Sequence, residues 1–281
     1  VVPIVVPSRP AMRATAKGFA LVRLALVPQL RIRCCASTAG GVNGALQEVR
    51  GRLSAAVASG SLSAPPRLVA VSKTKPVELL QEAYEAGQRD FGENYVQELV
   101  EKAQPGVMPA DTAWRFIGKL QSNKANALVK GVPGLVAVET LTSSKLADKL
   151  QAAAAALEPP RAAPLDVFVQ VDTSPWEGTK NGVGADEAPD LAAHVQANCP
   201  ALRMAGLMTI GAPGEASCFD SLRSCRDAVA ARLDVPPESL ELSMGMSGDF
   251  EAATLAGSTS VRVGSSIFGA RAYPASTPPK A

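Results

Sequence analysis

The stretch LELSMGMSGDFEAATLAGSTSVRVGSS, residues 240–266, states one pattern twice: an apolar strand that runs straight into a glycine-serine loop. The strand candidates are 240–244 and 260–263, joined by a short helix near 248–256. The first loop contains Gly245, Met246, Ser247 and Gly248, the second Gly264, Ser265 and Ser266. Strand, helix and strand in this order read as a parallel βαβ unit.

The same alternation extends back to the start of the apolar pattern. Further β-branched or aromatic strand candidates fall at 68–72, 90–93, 114–117, 135–139, 166–171 and 203–209. Helix-like stretches separate them at 76–86, 95–103, 122–130, 143–157, 186–198 and 215–233. Ahead of the first strand, Val42, Leu46, Val49, Leu53 and Val57 recur at spacings of three and four, the signature of an amphipathic helix. Eight strands separated by helices are what a single α/β (β/α)₈ TIM barrel requires. An open doubly wound sheet is the alternative, but no GxGxxG follows the first strand.

Composition narrows the function. The chain of 281 residues, 47% hydrophobic and 19% charged, can bury a large core. No apolar run approaches the roughly 20 residues of a membrane span. Residues 1–47 hold six basic side chains (Arg9, Arg13, Lys17, Arg23, Arg31, Arg33) and no acid before Glu48. Such a segment fits an organellar leader over 1–41, with RIRCCAS (31–37) as a plausible place for its removal. A chloroplast is expected ahead of a mitochondrion, and the cytoplasm if 1–41 is not a transit peptide. Without those six, 22 basic residues face 26 acidic ones, which removes the main support for nucleic-acid binding. The domain reading is therefore leader 1–41, barrel 42–273 and a Pro/Ser/Thr tail 274–281.

Cys199, Cys218 and Cys225 form no CxxC pair and read as reduced thiols. The single histidine, His194, sits in a helical stretch and is expected on a helix surface, so histidine-rich metal sites are excluded.

Barrels of this kind build function at the C-terminal ends of their strands, and the loops after strands 7 and 8 frequently hold a phosphate. Glycines let the backbone approach an anion, and serines add donors. Strand 1 ends in SKTKP (72–76), so Lys73, in phase with Val69 and Val71, would face that site. A strand-end lysine is more often solvated than reactive. Beside a phosphate cradle it points to a phosphorylated aldehyde held as a Schiff base. Lys75 precedes Pro76 and belongs to the loop. Arg262 lies inside strand 8 and needs an acceptor; beside a pyridoxal phosphate ring nitrogen it would restrain carbanion chemistry.

Together LVAVSKTKP, FGENYVQE, RFIGKLQSNK, GLMTI, SMGMSGDFEAA and GSTSVRVGSSIFGAR, in this order over about residues 42–273, resemble the pyridoxal-phosphate homeostasis protein family. The resemblance implies an alanine-racemase-like barrel lacking that enzyme's second β-domain, with pyridoxal 5′-phosphate held by Lys73. It further implies Asn94 along the ring, Ser247, Gly264 and Ser265 on the phosphate, Arg262 at the pyridine nitrogen and Met246 as a wall. Arg115 stands where many members carry histidine, and Trp176 falls in a loop that varies. The function implied is reversible storage of the cofactor, with delivery to apo-enzymes, by a protein that is often monomeric. The alternative is a pyridoxal-phosphate enzyme such as an amino-acid racemase. That would need a second base, and none of Tyr84, Tyr95 and Tyr273 is in an obvious position for it. A class I aldolase is a third reading, with Glu93 as its one acid/base candidate near Lys73.

Overall fold

In the computed structural model, residues 40–174, 182–212 and 214–270 are described. They fall within one compact unit, Ala36–Ala281. Residues 1–39, most of the expected leader, lie outside the described residues, as do Trp176, Tyr273 and the tail.

Eight parallel strands close into a barrel in sequence order. They are β1 (Arg67–Val71), β2 (Asp90–Glu93), β3 (Ala113–Phe116), β4 (Leu135–Leu141), β5 (Leu165–Gln170), β6 (Leu202–Met208), β7 (Glu241–Met246) and β8 (Ser260–Val263). Closure is made by β1 against β8, where Val69 stands opposite Arg262. All eight strands of the sequence reading are present, each displaced by no more than two residues at either end. Two strands run two residues further than the pattern, β4 to Leu141 and β7 through Gly245 to Met246. Gly245 has φ +96°, and a Cβ there would sit 2.5 Å from the Ala253 Cβ, so this strand end admits only glycine.

The outer layer comprises α1 (Gly41–Ser59), α2 (Val77–Glu85), α3 (Val96–Lys102), α4 (Ala125–Gly131), α5 (Ser144–Ala155), α6 (Ala188–Asn198), α7 (Ser217–Leu233), α8 (Phe250–Leu255) and α9 (Ser265–Phe268). Helix α1 turns Val42, Leu46, Val49 and Leu53 inward as the periodicity requires, with Ala56 rather than Val57 completing the face. It is tied to α2 by Val42 N–H donating to Glu82 (2.8 Å) and to α8 by the Arg52–Glu251 pair (2.6 Å). The expected helix over 122–130 begins as a 3₁₀ turn, Ser122–Lys124, before α4. Helix α9 has too few residues to show a period and was not anticipated.

The barrel interior is divided. Ala137, Phe168, Ala205 and Met208 form an apolar cluster. Beside it runs a chain of polar groups: Ser243 on β7 donates to Glu139 on β4 (2.6 Å). These strands are not neighbours, so the bond crosses the inside of the barrel.

Candidate functional site

Strand β1 delivers the first piece. Its ladder extends one residue further, Ser72 N–H donating to the Gly92 carbonyl (3.0 Å), before Lys75 N–H closes a turn onto the Ser72 carbonyl (3.1 Å). Thr74 inside that turn has φ +60°, a left-handed conformation uncommon for a side chain branched at Cβ. The turn sends the two lysines to different tasks. Lys75 Nζ donates to the carbonyls of Phe268, Gly269 and Ala270 (2.9, 2.9 and 2.7 Å), capping the C-terminal end of α9. Lys73 is half-buried and lines a cavity of about 280 Å³ at the barrel mouth.

Met246 at the end of β7, Ser247 and Gly248 just after it, and Gly264 and Ser265 after β8 form the facing wall of the same cavity. The two loops are joined directly, the Gly264 N–H donating to Ser247 Oγ (3.1 Å). Gly264 is also close against β1: a Cβ there would lie 3.2 Å from the Val71 Cβ. By helix geometry, the N–H of Ser265, which lines the cavity, has no acceptor one turn back within α9 and is left as a donor at the wall. The two acids of this region are turned aside. Asp249 caps the Met246 N–H (2.6 Å), and Glu251 is drawn to Arg52, whose hydrogen bond holds its carboxyl below the usual range.

Five of the seven expected site residues, Lys73, Met246, Ser247, Gly264 and Ser265, therefore meet at one cavity. The other two do not line it. Asn94, after β2, borders two neighbouring cavities of about 580 and 340 Å³. Its Oδ1 is buried and makes no hydrogen bond, a situation that costs about 1–3 kcal/mol unless a ligand's polar group repays it. Arg262 is inside the barrel, donating to Ser243 Oγ (2.6 Å) and to the Thr209 carbonyl (2.7 Å). Burial pushes its guanidinium below the ordinary arginine value, with Glu139 and Asp249 opposing the shift.

Sequence reasoning missed the burial and partners of Arg115 and of Lys102, which engages the Glu93 named as an acid/base candidate. Arg115, expected only as a departure from a histidine, pairs with Asp90 (2.8 Å) and Glu139 (3.1 Å). Burial alone would lower it, yet Glu139 and Asp90 prevail and hold it above its usual value. Glu93, buried at 0% exposure, binds Lys102 Nζ through Oε1 (2.7 Å), while its Oε2 has no hydrogen-bond partner. Burial raises its carboxyl despite the pairing. Its engagement by Lys102 and Ser72 leaves it tied to structure rather than turned into the lysine cavity. The one signal available was the Glu98–Lys102 spacing of four in α3.

Among the described residues one cluster brings three metal-ligand types within 4.8 Å: Asp148, His194 and Cys199. Both histidine nitrogens are already engaged, Nε2 with Asp148 (2.7 Å) and Nδ1 with Asn198 (3.3 Å). This is a contact between α5 and α6 on the outer layer, as expected for a helix-surface histidine. Tyr84 bonds Asp111, and Tyr95 is exposed beside the 580 Å³ cavity. No described helix is long and apolar enough to cross a membrane.

The polar groups fit pyridoxal phosphate: one amine at the end of β1, paired hydroxyl and glycine loops opposite it, and an unsatisfied amide oxygen on Asn94 after the neighbouring strand β2. Comparison with known proteins agrees. Residues 52–272 match the family model described as alanine racemase, N-terminal domain. A pyridoxal phosphate homeostasis protein of Bos taurus is 46% identical over 245 residues, covering 83% of this chain and 88% of the relative. Among solved structures, PipY of Synechococcus elongatus with PLP bound is 31% identical at TM-score 0.63, covering 81% of this chain and 100% of PipY. An alanine racemase of Clostridium difficile, 17% identical at TM-score 0.58, shares the fold over 82% of this chain but only 58% of its own. The chain belongs to the pyridoxal phosphate homeostasis protein family and has the barrel of the alanine racemase N-terminal domain.

Proposed function

We propose that this protein holds pyridoxal 5′-phosphate reversibly and serves as an intracellular store of it. The observation that carries this reading is the convergence of the Lys73 amine and two linked glycine-serine loops on one cavity. The cofactor supplies an aldehyde that amines capture and a phosphate that fixes its position. Lys73 provides the amine; Ser247, Ser265 and the adjoining backbone N–H groups anchor the anion; Met246 walls the cavity. Arg262, buried inside the barrel, would stand at the ring nitrogen, as the family resemblance implies. A guanidinium there carries no readily lost proton for a ring nitrogen, which disfavours the electron withdrawal that turnover needs.

Storage is favoured over racemisation because Arg262, buried inside the barrel, disfavours protonation of a ring nitrogen, and because the 46% identical relative is named a pyridoxal phosphate homeostasis protein. Delivery to apo-enzymes, a monomeric state and an organellar address carried by residues 1–41, chloroplast before mitochondrion, complete the proposal. Fusion of residues 1–41 to a fluorescent protein tests the address.

The direct test uses the full chain. Its near-visible absorption is recorded with pyridoxal phosphate before and after borohydride reduction, and any fixed pyridoxyl group is mapped by peptide. A group on Lys73, lost in Lys73→Ala while phosphate-held cofactor persists, is the expected result. A protein that takes up no pyridoxal phosphate refutes the reading.

A further inference from the structure

Resting on Lys73 as the attachment point, we propose that Glu98 and Lys102 of α3 are positioning residues. They fix the peptide units on either side of Lys73 so that its amine is aimed at the aldehyde.

The peptide before Lys73 is held from below. Lys102 Nζ donates to the Ser72 carbonyl (2.8 Å), to Glu93 Oε1 (2.7 Å) and to Glu98 Oε1 (2.7 Å), using all three of its donors. The peptide after Lys73 is held from the same helix: Thr74 N–H donates to Glu98 Oε1 (2.6 Å). Ser72 Oγ adds a bond to Glu93 Oε1 (2.7 Å). One ammonium and two carboxylates, four residues apart on α3 and at the end of β2, thus bracket a single residue of the β1 turn.

Such a network is an expensive way to fold a barrel. Lys102 is 5% exposed and Glu93 fully buried, and a buried ion pair is often matched in stability by apolar side chains of similar volume. Its location is what distinguishes it. Thr74 is kept in a left-handed backbone conformation by the Glu98 hydrogen bond, and that conformation divides Lys73, facing the cavity, from Lys75, facing α9. Relaxing Thr74 toward an ordinary φ would rotate the plane between them and swing the Lys73 side chain.

The reaction being aimed is a condensation: the amine nitrogen of Lys73 bonds the aldehyde carbon, the carbonyl oxygen leaves as water with the two amine protons, and no redox change occurs. A displacement on the order of 1 Å in such a step can cost about 100-fold.

The test separates covalent capture from phosphate binding. Full-length Lys102→Met and Glu98→Ala are compared with the parent for borohydride-fixed pyridoxyl on Lys73. Affinity for 4′-deoxypyridoxine 5′-phosphate, which has the ring and phosphate but no aldehyde, is measured alongside. The expected result is a fall of about ten-fold or more in capture by both variants, with analogue affinity within about three-fold of the parent. Should Lys102→Met fail to fold, Glu98→Ala decides, since the Glu98 side chain is 23% exposed. Unchanged capture, or equal losses for both ligands, overturns the positioning role. A parent protein that fixes nothing on Lys73 instead overturns the reading on which it rests.

Discussion

Replacing Glu139 by glutamine should destabilise the barrel far more than the loss of one hydrogen bond. Glu139 is fully buried between two guanidinium groups, Arg115 at 3.1 Å and Arg262 through Ser243 by two bonds of 2.6 Å. With an effective dielectric of about 20, the direct pair contributes ~5 kcal/mol of gross attraction; the second, no farther than about 5.2 Å, contributes ~3 kcal/mol. Most of that gross gain offsets the desolvation of the carboxylate. Breaking a buried pair from one side nevertheless costs about 3–5 kcal/mol, because the partner charge is left behind. Glutamine keeps the shape and can still accept from Ser243, so the loss reads the charge. Urea unfolding followed by circular dichroism, with an unchanged slope, should show that decrease against a total on the order of 5–15 kcal/mol. Adding Arg115→Met to Glu139→Gln removes one of the two cations that the carboxylate balanced, leaves Asp90 to Arg67 (3.7 Å), and should recover at least half of it. A single-variant loss under about 1 kcal/mol, or a double variant worse than the single, would refute the argument.

Ser247→Ala removes the acceptor of the Gly264 N–H and a donor to the phosphate, and should weaken pyridoxal phosphate binding by about 1–2 kcal/mol in titration calorimetry; unchanged affinity would displace the cradle. Burial raises the Cys225 thiol to about 11, so at pH 8 about one molecule in a thousand carries the thiolate. Alkylation mapped to Cys225 should therefore run at least about 100-fold slower in the native than in the urea-unfolded chain. Glu93, whose carboxyl is raised in the folded state, keeps its proton to higher pH than the unfolded chain does. As pH rises from about 4.5 through the raised native value, the unfolded state gains the advantage and parental stability falls relative to Glu93→Gln. Unfolding midpoints that diverge in the opposite direction would contradict the burial argument. Finally, fixation should not migrate to Lys75 in Lys73→Ala, since three carbonyls hold that ammonium; a pyridoxyl group mapped to Lys75 would show the α9 cap to be weak.

The strands were legible because each is short, apolar and bounded by polar residues, and because the glycine-serine loops mark the last two by position as well as composition. The ends were less legible where one residue type serves two roles. Gly245 reads as a stop, yet β7 passes through it because only glycine tolerates both the positive φ and the proximity of Ala253. Helix α9 is a single turn, and no periodicity can announce four residues. At the candidate site, the shared cavity of Lys73 and the two loops was legible because strand order dictates which chain ends share a face. Arg115 and Lys102 were not, because a cation in sequence carries no mark of burial. Arg115 between Trp114 and Phe116 could have been read as interior, but its partners come from β2 and β4, twenty-five residues before it and twenty-four after.

Two lysines two residues apart thus acquire opposite fates from one backbone angle. Lys75 spends its charge on carbonyls at the end of α9 and so fastens the last described helix to the first strand's turn. That helix begins at Gly264 and Ser265, which line the cavity that Lys73 enters. The second lysine therefore steadies the wall that the first one faces. A chain that only needed an amine at a strand end could place it on any exposed turn. This one fixes the turn through α3 on one side and α9 on the other, which is the arrangement expected where an amine is to be held at a set distance from the glycine-serine loops, as the proposed capture of pyridoxal phosphate requires.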